Sequence, residues 1–329
     1  MKDLEILLVY NHKRRFVEKD IRMLDNLYNL TPLYFNDEKN KIKNAVKQSD
    51  LVISWFASKH TIRPWFYANR YNKKKMVIVG GFDASDIDGY GMFSGFLKRR
   101  IVNYIYKNAD LIVPVDASLK EVIIDYIPSV KDKINVIPTG YDYNYFKPEG
   151  EKKNQVLTVC YVDQTNWWRK GINKLVEISK IAKNNNEKWV FVIAGKISKD
   201  IKEKIQQLSY HSDSNIIFKD WITDEELLKL YQHSKIFSLL SKYEGLPNVL
   251  CEAMLCNCIP VGTDVCGIPN AIGDAGYIVS KDASSLSIYN IIKKAMNTKT
   301  TNKPRKRVKE LFNLENREKQ LIKVIEEII

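Results

Sequence analysis

Short apolar runs that end in turn residues alternate with stretches of helical periodicity along nearly all 329 residues, and this alternation restricts the fold more than any other property of the chain. In the first half the runs of strand length are residues 5–10, 51–55, 76–79, 111–115 and 134–137. Between them Val17, Ile21, Leu24 and Tyr28 fall on one helical face, as do Ile101 and Ile105 within residues 93–108. The second half repeats the pattern with runs at 156–162, 189–194, 215–218, 236–240 and 259–261, and a helical stretch starts at Ile172. A strand that crosses over through a helix before the next strand cannot pair by a hairpin, so parallel sheets covered by helices on both faces are expected. One core seldom serves more than about 250–300 residues, which makes two α/β domains, each a doubly wound sheet, the expected architecture.

The domain boundary is easiest to place after Pro138-Thr139-Gly140-Tyr141-Asp142-Tyr143-Asn144-Tyr145-Phe146-Lys147-Pro148, where a strand gives way to the charged residues 149–154. That predicts domains at 1–148 and 149–312. A basic, proline-containing stretch, 303–308, then precedes Leu314, Leu321, Ile325 and Ile328 at helical spacing, so a separate last helix is expected at about 313–329.

Chemistry concentrates in Ser241-Lys242-Tyr243-Glu244-Gly245-Leu246-Pro247-Asn248-Val249-Leu250-Cys251-Glu252-Ala253-Met254. Glu244 and Glu252 bracket a turn, Gly245-Leu246, that opens a helix, and Pro247 suits the first helical position because its missing N–H would go unpaired there anyway. A helix mouth attracts anions through its unpaired amides, and carboxylates beside it accept hydrogen bonds from hydroxyls. That combination suits a sugar attached to a phosphate. Taken alone, the same residues also read as a solvated loop charge and an acid favouring the helix dipole.

The match to a known pattern is wider than two acids. Residues 241–254 resemble the E-x7-E motif of retaining glycosyltransferases of family 4, which have the GT-B fold: two Rossmann-like domains facing a cleft, with the last helix returning to the first domain. Residues 253–261 are similar to that family's helix, tight turn and buried strand, and Thr263-Asp264-Val265-Cys266-Gly267-Ile268-Pro269 extends the likeness. Asn257 stands where the family has glycine, and because Asn tolerates the left-handed conformation the turn is expected to survive. Cys266 replaces the first glycine of a Gly-Gly pair. Upstream, Asp163-Gln164-Thr165-Asn166-Trp167-Trp168-Arg169-Lys170-Gly171 is similar to the family's Gly-Arg…Lys-Gly segment, whose two cations neutralise the donor diphosphate. Lys170 matches; Gln164 stands at the arginine, with Arg169 as the substitute cation. Residues 138–148 are similar to the family's interdomain hinge.

The resemblance implies transfer of a glycosyl group from a nucleoside diphosphate sugar to a hydroxyl acceptor, with retention and with no obligatory cofactor or metal. It gives Lys170 and Glu244 to catalysis, the ribose hydroxyls to Glu252, and the sugar and diphosphate to the backbone of Gly245, Leu246, Pro247 and Asn248. Polysaccharide, lipopolysaccharide or glycolipid biosynthesis is the implied setting. An epimerase of the same build and a non-catalytic sugar-nucleotide-binding protein are the alternatives, the second because Gln164 and Cys266 depart on the donor side.

The first domain matches the family less closely. Its acceptor-side candidates are Gly80 and Gly81, which let backbone approach a ligand, Asp83 as an acceptor for a hydroxyl, and His12 and His60, which follow expected strands. Plain turn chemistry explains the same residues. His211 and His233 share no metal-ligand spacing with these two, and the triplet Asp86-Ile87-Asp88, with two acids in a Gly- and Ser-rich loop, reads as a turn. Five cysteines without zinc spacing, no cleavable leader pattern and no apolar run near 18 residues point to a reduced, cytoplasmic chain. The net charge of +13 invites a polyanionic partner, yet it divides almost evenly at Pro148, with 24 basic to 17 acidic residues before it and 28 to 22 after. One local cluster, Phe93, Phe96, Lys98, Arg99 and Arg100, mixes aromatics with cations and fits either a core-facing helix or an anionic membrane surface. No nucleic-acid motif accompanies the charge.

Overall fold

The computed structural model describes residues 3–35, 39–87, 89–208 and 215–329. His211 and Asp88 therefore lie outside the described residues. The chain divides into two compact units, one of Met1–Gly140 with Leu314–Ile329, the other of Tyr141–Asn313.

The first unit holds a five-stranded parallel sheet of β1 (Glu5–Tyr10), β2 (Asn29–Tyr34), β3 (Leu51–Trp55), β4 (Lys74–Val79) and β5 (Leu111–Pro114), in the order β2-β1-β3-β4-β5. Its crossovers are α1 (Arg15–Leu27), α2 (Lys39–Gln48), α3 (Lys59–Arg70) and α4 (Phe96–Asn108), and α5 (Ala117–Tyr126) follows the last strand. Every residue of β3 is buried, as expected of a central strand covered on both faces. β2 went unread in the sequence because it is an edge strand with most side chains outside the core, and its Pro32 is tolerated only at an edge.

The strand expected at 134–137 is not formed; a single bridge, Ile112 to Ile134, stands in its place. Asn135 N donates to Ile112 O at 3.0 Å and Ile137 N to Pro114 O at 3.0 Å. The bond that would run back between these two needs an N–H from residue 114, and proline has none.

The second unit holds β6 (Lys153–Val159), β7 (Val190–Gly195), β8 (Ile216–Asp220), β9 (Ser234–Leu239), β10 (Ile259–Thr263) and β11 (Tyr277–Val279), all parallel, in the order β11-β10-β9-β6-β7-β8. Its helices are α6 (Ile172–Asn184), α7 (Lys199–Leu208), α8 (Asp224–His233), α9 (Asn248–Leu255), α10 (Gly267–Ile272), α11 (Ser285–Asn297) and α12 (Lys303–Leu311). The basic stretch 303–308 is thus helical, with Pro304 in the first turn where it costs no hydrogen bond. Asn257 takes φ +60 directly after α9, so the tight turn into β10 survives without glycine.

The unit boundary falls at Gly140 rather than Pro148. Tyr141 N donates to Phe312 O at 2.8 Å, and the Arg305 guanidinium donates to Phe146 O at 2.6 Å and Tyr143 O at 2.7 Å, which ties residues 141–146 to the second unit. The last helix, α13 (Leu314–Ile328), belongs to the first unit. Arg317 on α13 pairs bidentately with Asp20 on α1, Nε to Oδ1 at 2.7 Å and Nη2 to Oδ2 at 2.6 Å. Both side chains are almost fully buried, at 2% and 3% exposure. Trp55 Nε1 donates to Asp20 at 2.9 Å, and Arg317 Nη1 donates to the carbonyls of Ile137 and Pro138. The pair is tolerated because its fork geometry and these further bonds satisfy both charges.

Each sheet reverses its winding once, between β1 and β3 in the first unit and between β6 and β9 in the second. The loops leaving the carboxyl ends of such neighbouring strands run to opposite faces, and a crevice opens between them.

Candidate active site

In the second unit the reversal joins the two sequence motifs. The loop after β6 is shaped by Asp163, whose Oδ1 accepts from Thr165 N at 2.9 Å and Thr165 Oγ1 at 2.6 Å. It closes onto α6 through Gly171 at φ +68, where a Cβ would lie 2.2 Å from Leu240 O. Only glycine permits that approach to the end of β9. The loop after β9 is stitched to the same place, since Lys242 N donates to Arg169 O at 2.8 Å.

The consequence is an ion pair between Lys170 Nζ and Glu244 Oε1 at 2.6 Å, with side chains 19% and 18% exposed. Burial pushes the Glu244 carboxyl up, but the charge and hydrogen bond of Lys170, with the charge of Arg169, hold it below the usual carboxylate range. Arg169 is buried at 8% exposure and acts on Glu244 and on the partly exposed Cys160. The Cys160 thiol is pushed up to about 12 by burial, against the pull of Lys170, so it stays protonated.

Gln164 is not brought to this pair. It is exposed and its side chain hydrogen-bonds Asp200, on α7. Pro247 is not the first helical residue of α9 either: at φ −78, ψ 106 it is the extended residue before it, and its carbonyl accepts from Leu250 N and Cys251 N. Among the described residues no side chain caps this helix, which leaves the amides of Asn248 and Val249 open. Asn248 Oδ1 is buried without a partner among the described residues. Gly245 and Leu246 are buried in the turn before it. Glu252, 5% exposed, stands about one turn further along α9 and accepts a hydrogen bond from Tyr231 Oη of α8 at 3.1 Å. Downstream, Cys266 sits at φ +47, ψ −129, a conformation that glycine takes without cost. Cys266 therefore holds a backbone conformation that a glycine would suit.

The first-unit candidates divide differently. Asp83 is fully buried, and its carboxylate is already engaged: Oδ1 accepts from Gly80 N at 3.1 Å and Gly81 N at 3.0 Å, and Oδ2 from Ala57 N at 2.9 Å. It fastens the ends of β3 and β4 rather than offering oxygens to a hydroxyl. Burial pushes it up to about 6, against the four backbone amides that favour the charged form. His60 is also buried; Nε2 lies 2.8 Å from Trp55 O and Nδ1 2.7 Å from Ser58 Oγ. Burial lowers it to about 4, so it is a neutral clasp at the start of α3. Gly80 is glycine because a Cβ would meet Phe56 Cε1 at 2.4 Å, and Gly81 because φ is +128. His12 is exposed and lines a pocket at the β1/β3 reversal. Of the aromatic and basic cluster, Phe93 is buried and stacked on Tyr126 at 4.3 Å, which removes it from any surface role. Phe96 is 73% exposed, as is its neighbour Leu97, with Arg99 and Arg100 exposed beside them and Lys98 half-buried. Among the described residues no helix is long and apolar enough to cross a membrane.

Two parallel, doubly wound α/β units, the last helix packed in the first, define the GT-B class of glycosyltransferase fold. Solved structures agree: HepE of Anabaena, in complex with UDP and glucose, aligns with a TM-score of 0.82 at 12% identity over 98% of this chain and 100% of that one. The lipopolysaccharide outer core galactosyltransferase WaaB aligns at 0.74 with 15% identity over 100% of both. In sequence, an uncharacterized glycosyltransferase of Methanocaldococcus jannaschii is 24% identical over 279 residues, 79% of this chain and 70% of its own length. The serotype-specific mannosyltransferase WbdA of Escherichia coli is 25% identical over 198 residues, 55% of this chain but only 24% of the relative, so the likeness spans about a quarter of that enzyme. The model of the glycosyl transferases group 1 matches residues 144–311, and the chain belongs to that family.

Proposed function

We propose that this glycosyltransferase moves a sugar from a nucleoside diphosphate sugar to a hydroxyl acceptor with retention at the anomeric carbon. The observation that carries the reading is the Lys170–Glu244 pair at the β6/β9 reversal, backed by buried Arg169 and close in sequence to the uncapped mouth of α9. In the reaction the bond from the anomeric carbon to the diphosphate oxygen breaks, and a bond from that carbon to the acceptor oxygen forms. The acceptor proton passes to the departing phosphate oxygen on the same face. Lys170 and Arg169, with the amides of Asn248 and Val249, would neutralise the charge that grows on the leaving diphosphate. Glu244 would then accept from sugar hydroxyls, Asn248 Oδ1 from a further donor group, and Glu252 from the ribose. Anabaena HepE structures hold UDP and UDP-glucose, which makes uridine donors the first to try.

The test is nucleotide release from UDP-, GDP- and ADP-sugars with and without acceptor extracts, in the wild type and in Glu252→Ala. Release that needs acceptor and disappears in the variant at ordinary donor concentrations is expected. Release without acceptor would speak for an epimerase, and unchanged kinetics in the variant would remove Glu252 from the site. We further propose a cytoplasmic enzyme peripheral to a membrane, with Phe96, Leu97, Arg99 and Arg100 of α4 against anionic lipid.

A further inference from the structure

The first unit has a winding reversal of its own, and a pocket of ≈260 Å³ sits there, lined by Asn11, His12 and Arg14 after β1, Phe56 and Ser58 after β3, and aromatic side chains from neighbouring segments. Phe56 is its most unusual wall. The residue lies at φ +70, a conformation costly for a bulky side chain, and Gly80 is bare because the Phe56 ring occupies the space of a Cβ. Surrounding bonds over-determine this strain: Phe56 N donates to Ile78 O at 2.9 Å, Phe56 O accepts from Thr61 Oγ1 at 2.9 Å, and Asp83 holds the next amide, Ala57 N. Backbone strain held so firmly at a winding reversal, where α/β sheets bind ligands, argues that the ring's position is used.

The pocket's chemistry is asymmetric. No acid lines it, because both oxygens of nearby Asp83 are turned to amides. Arg14 is exposed with no ion pair among the described residues, His12 two residues before it lines the same pocket, and Asn11 Oδ1 is buried without a partner among the described residues. An apolar ring face suits the C–H face of a pyranose, the open amide oxygen suits one of its hydroxyls, and the cation suits a negative substituent.

We infer that this pocket binds the acceptor, and that the acceptor's terminal unit is a sugar carrying a negative charge, a phosphate or a carboxylate, read by Arg14 and stacked on Phe56. This rests on the glycosyltransferase reading above for the word acceptor, and the experiment separates the two. Affinities of the full chain for glucose, glucose 6-phosphate, glucuronate and inorganic phosphate are measured by calorimetry without nucleotide, while binding of UDP-glucose by thermal shift is read independently for the donor. At least one charged sugar is expected to bind about tenfold more tightly than glucose, and more tightly than phosphate alone. Arg14→Gln is expected to bring that sugar down to the glucose level. Phe56→Gly relieves the positive φ but removes a ring packed on Trp55 and Phe16, and is expected to weaken every sugar; Phe82→Ala, at an exposed wall of the same pocket, gives a second reading that leaves that packing in place. Which charged sugar wins identifies the substituent. Equal affinity for glucose and both charged sugars, phosphate alone binding as well as the sugars, or wild-type affinities in Arg14→Gln and Phe56→Gly would each overturn the inference.

Discussion

Replacing Lys170 by Met removes one charge from the ion pair while keeping most of the side-chain volume. The pair is 2.6 Å long and each partner is about four-fifths buried, with exposures of 19% and 18%. Exposed pairs contribute about 0–1 kcal/mol, whereas stripping one partner from a fully buried pair costs about 3–5 kcal/mol. Arg169 remains within electrostatic reach of Glu244 and offsets part of the loss. A destabilisation of about 2 kcal/mol at pH 7 follows, which for a unit of this size lowers Tm by roughly 4–8 °C. The pH dependence fixes the cause. Glu244 in the wild type has its folded pKa depressed, so its contribution is present above the unfolded value and is lost as pH falls through the folded one. Without Lys170, burial is opposed only by weaker partners and the depression shrinks or reverses. The deficit of Lys170→Met should therefore be full near neutrality and narrow as pH falls toward about 4. Urea midpoints of both proteins from pH 8 to pH 4 measure it. Turnover, if Lys170 meets the leaving diphosphate, should fall by about 10²–10³. A deficit that stays constant across that pH range, or a variant as stable and active as the wild type, would refute the reasoning.

Cys266→Gly should raise stability by about 1–2 kcal/mol, because the residue sits at φ +47, ψ −129; a loss in thermal denaturation would show that the side chain is needed for packing. His60, lowered to about 4 by burial, binds a proton in the unfolded chain before it does in the folded one, so it costs up to about 3 kcal/mol as pH falls from 6.5 to 4. Asp83, raised to about 6, has the opposite sign, and its contribution is lost as pH rises from its unfolded value toward 6. The two partly cancel between pH 4 and 6, so His60→Gln should give a first unit that gains stability on acidification in that window; an unchanged pH profile would contradict this. Phe96→Glu combined with Leu97→Glu should abolish co-sedimentation with phosphatidylserine vesicles and leave neutral vesicles unaffected, and wild-type protein that ignores anionic vesicles would rule out the lipid surface.

Most of the fold was readable because central parallel strands are buried on both faces and so appear as unbroken apolar runs, as in β3. What escaped lies where that rule weakens. β2 is an edge strand with exposed side chains, β11 has three residues, and residues 134–137 carry a strand's composition beside a proline that cannot return the ladder bond. The Lys170–Glu244 pair was legible for a local reason: both residues sit in short motifs whose spacing is fixed by the turn into a helix. Arg169 could be named as a substitute cation from its neighbourhood in sequence, but its burial could not.

The first-unit residues show what sequence spacing leaves out. Asp83 and His60 were singled out as polar groups after strands, which is correct in position and misleading in role, because their partners are the amides of residues 57, 80 and 81 and the carbonyl of Trp55. A polar residue after a strand faces ligand only if the backbone leaves it free, and an apolar residue can hold the position instead. Phe56 does so: its positive φ leaves no trace in the sequence, since phenylalanine is neither favoured nor marked there. The one available signal was Gly80, read as room for a ligand when its room is taken by the Phe56 ring. Alternation of strand and helix fixes parallel sheets but not strand order, so the reversal that brings Arg14 and Phe56 to one pocket, and Lys170 and Glu244 to one ion pair, becomes visible only in three dimensions.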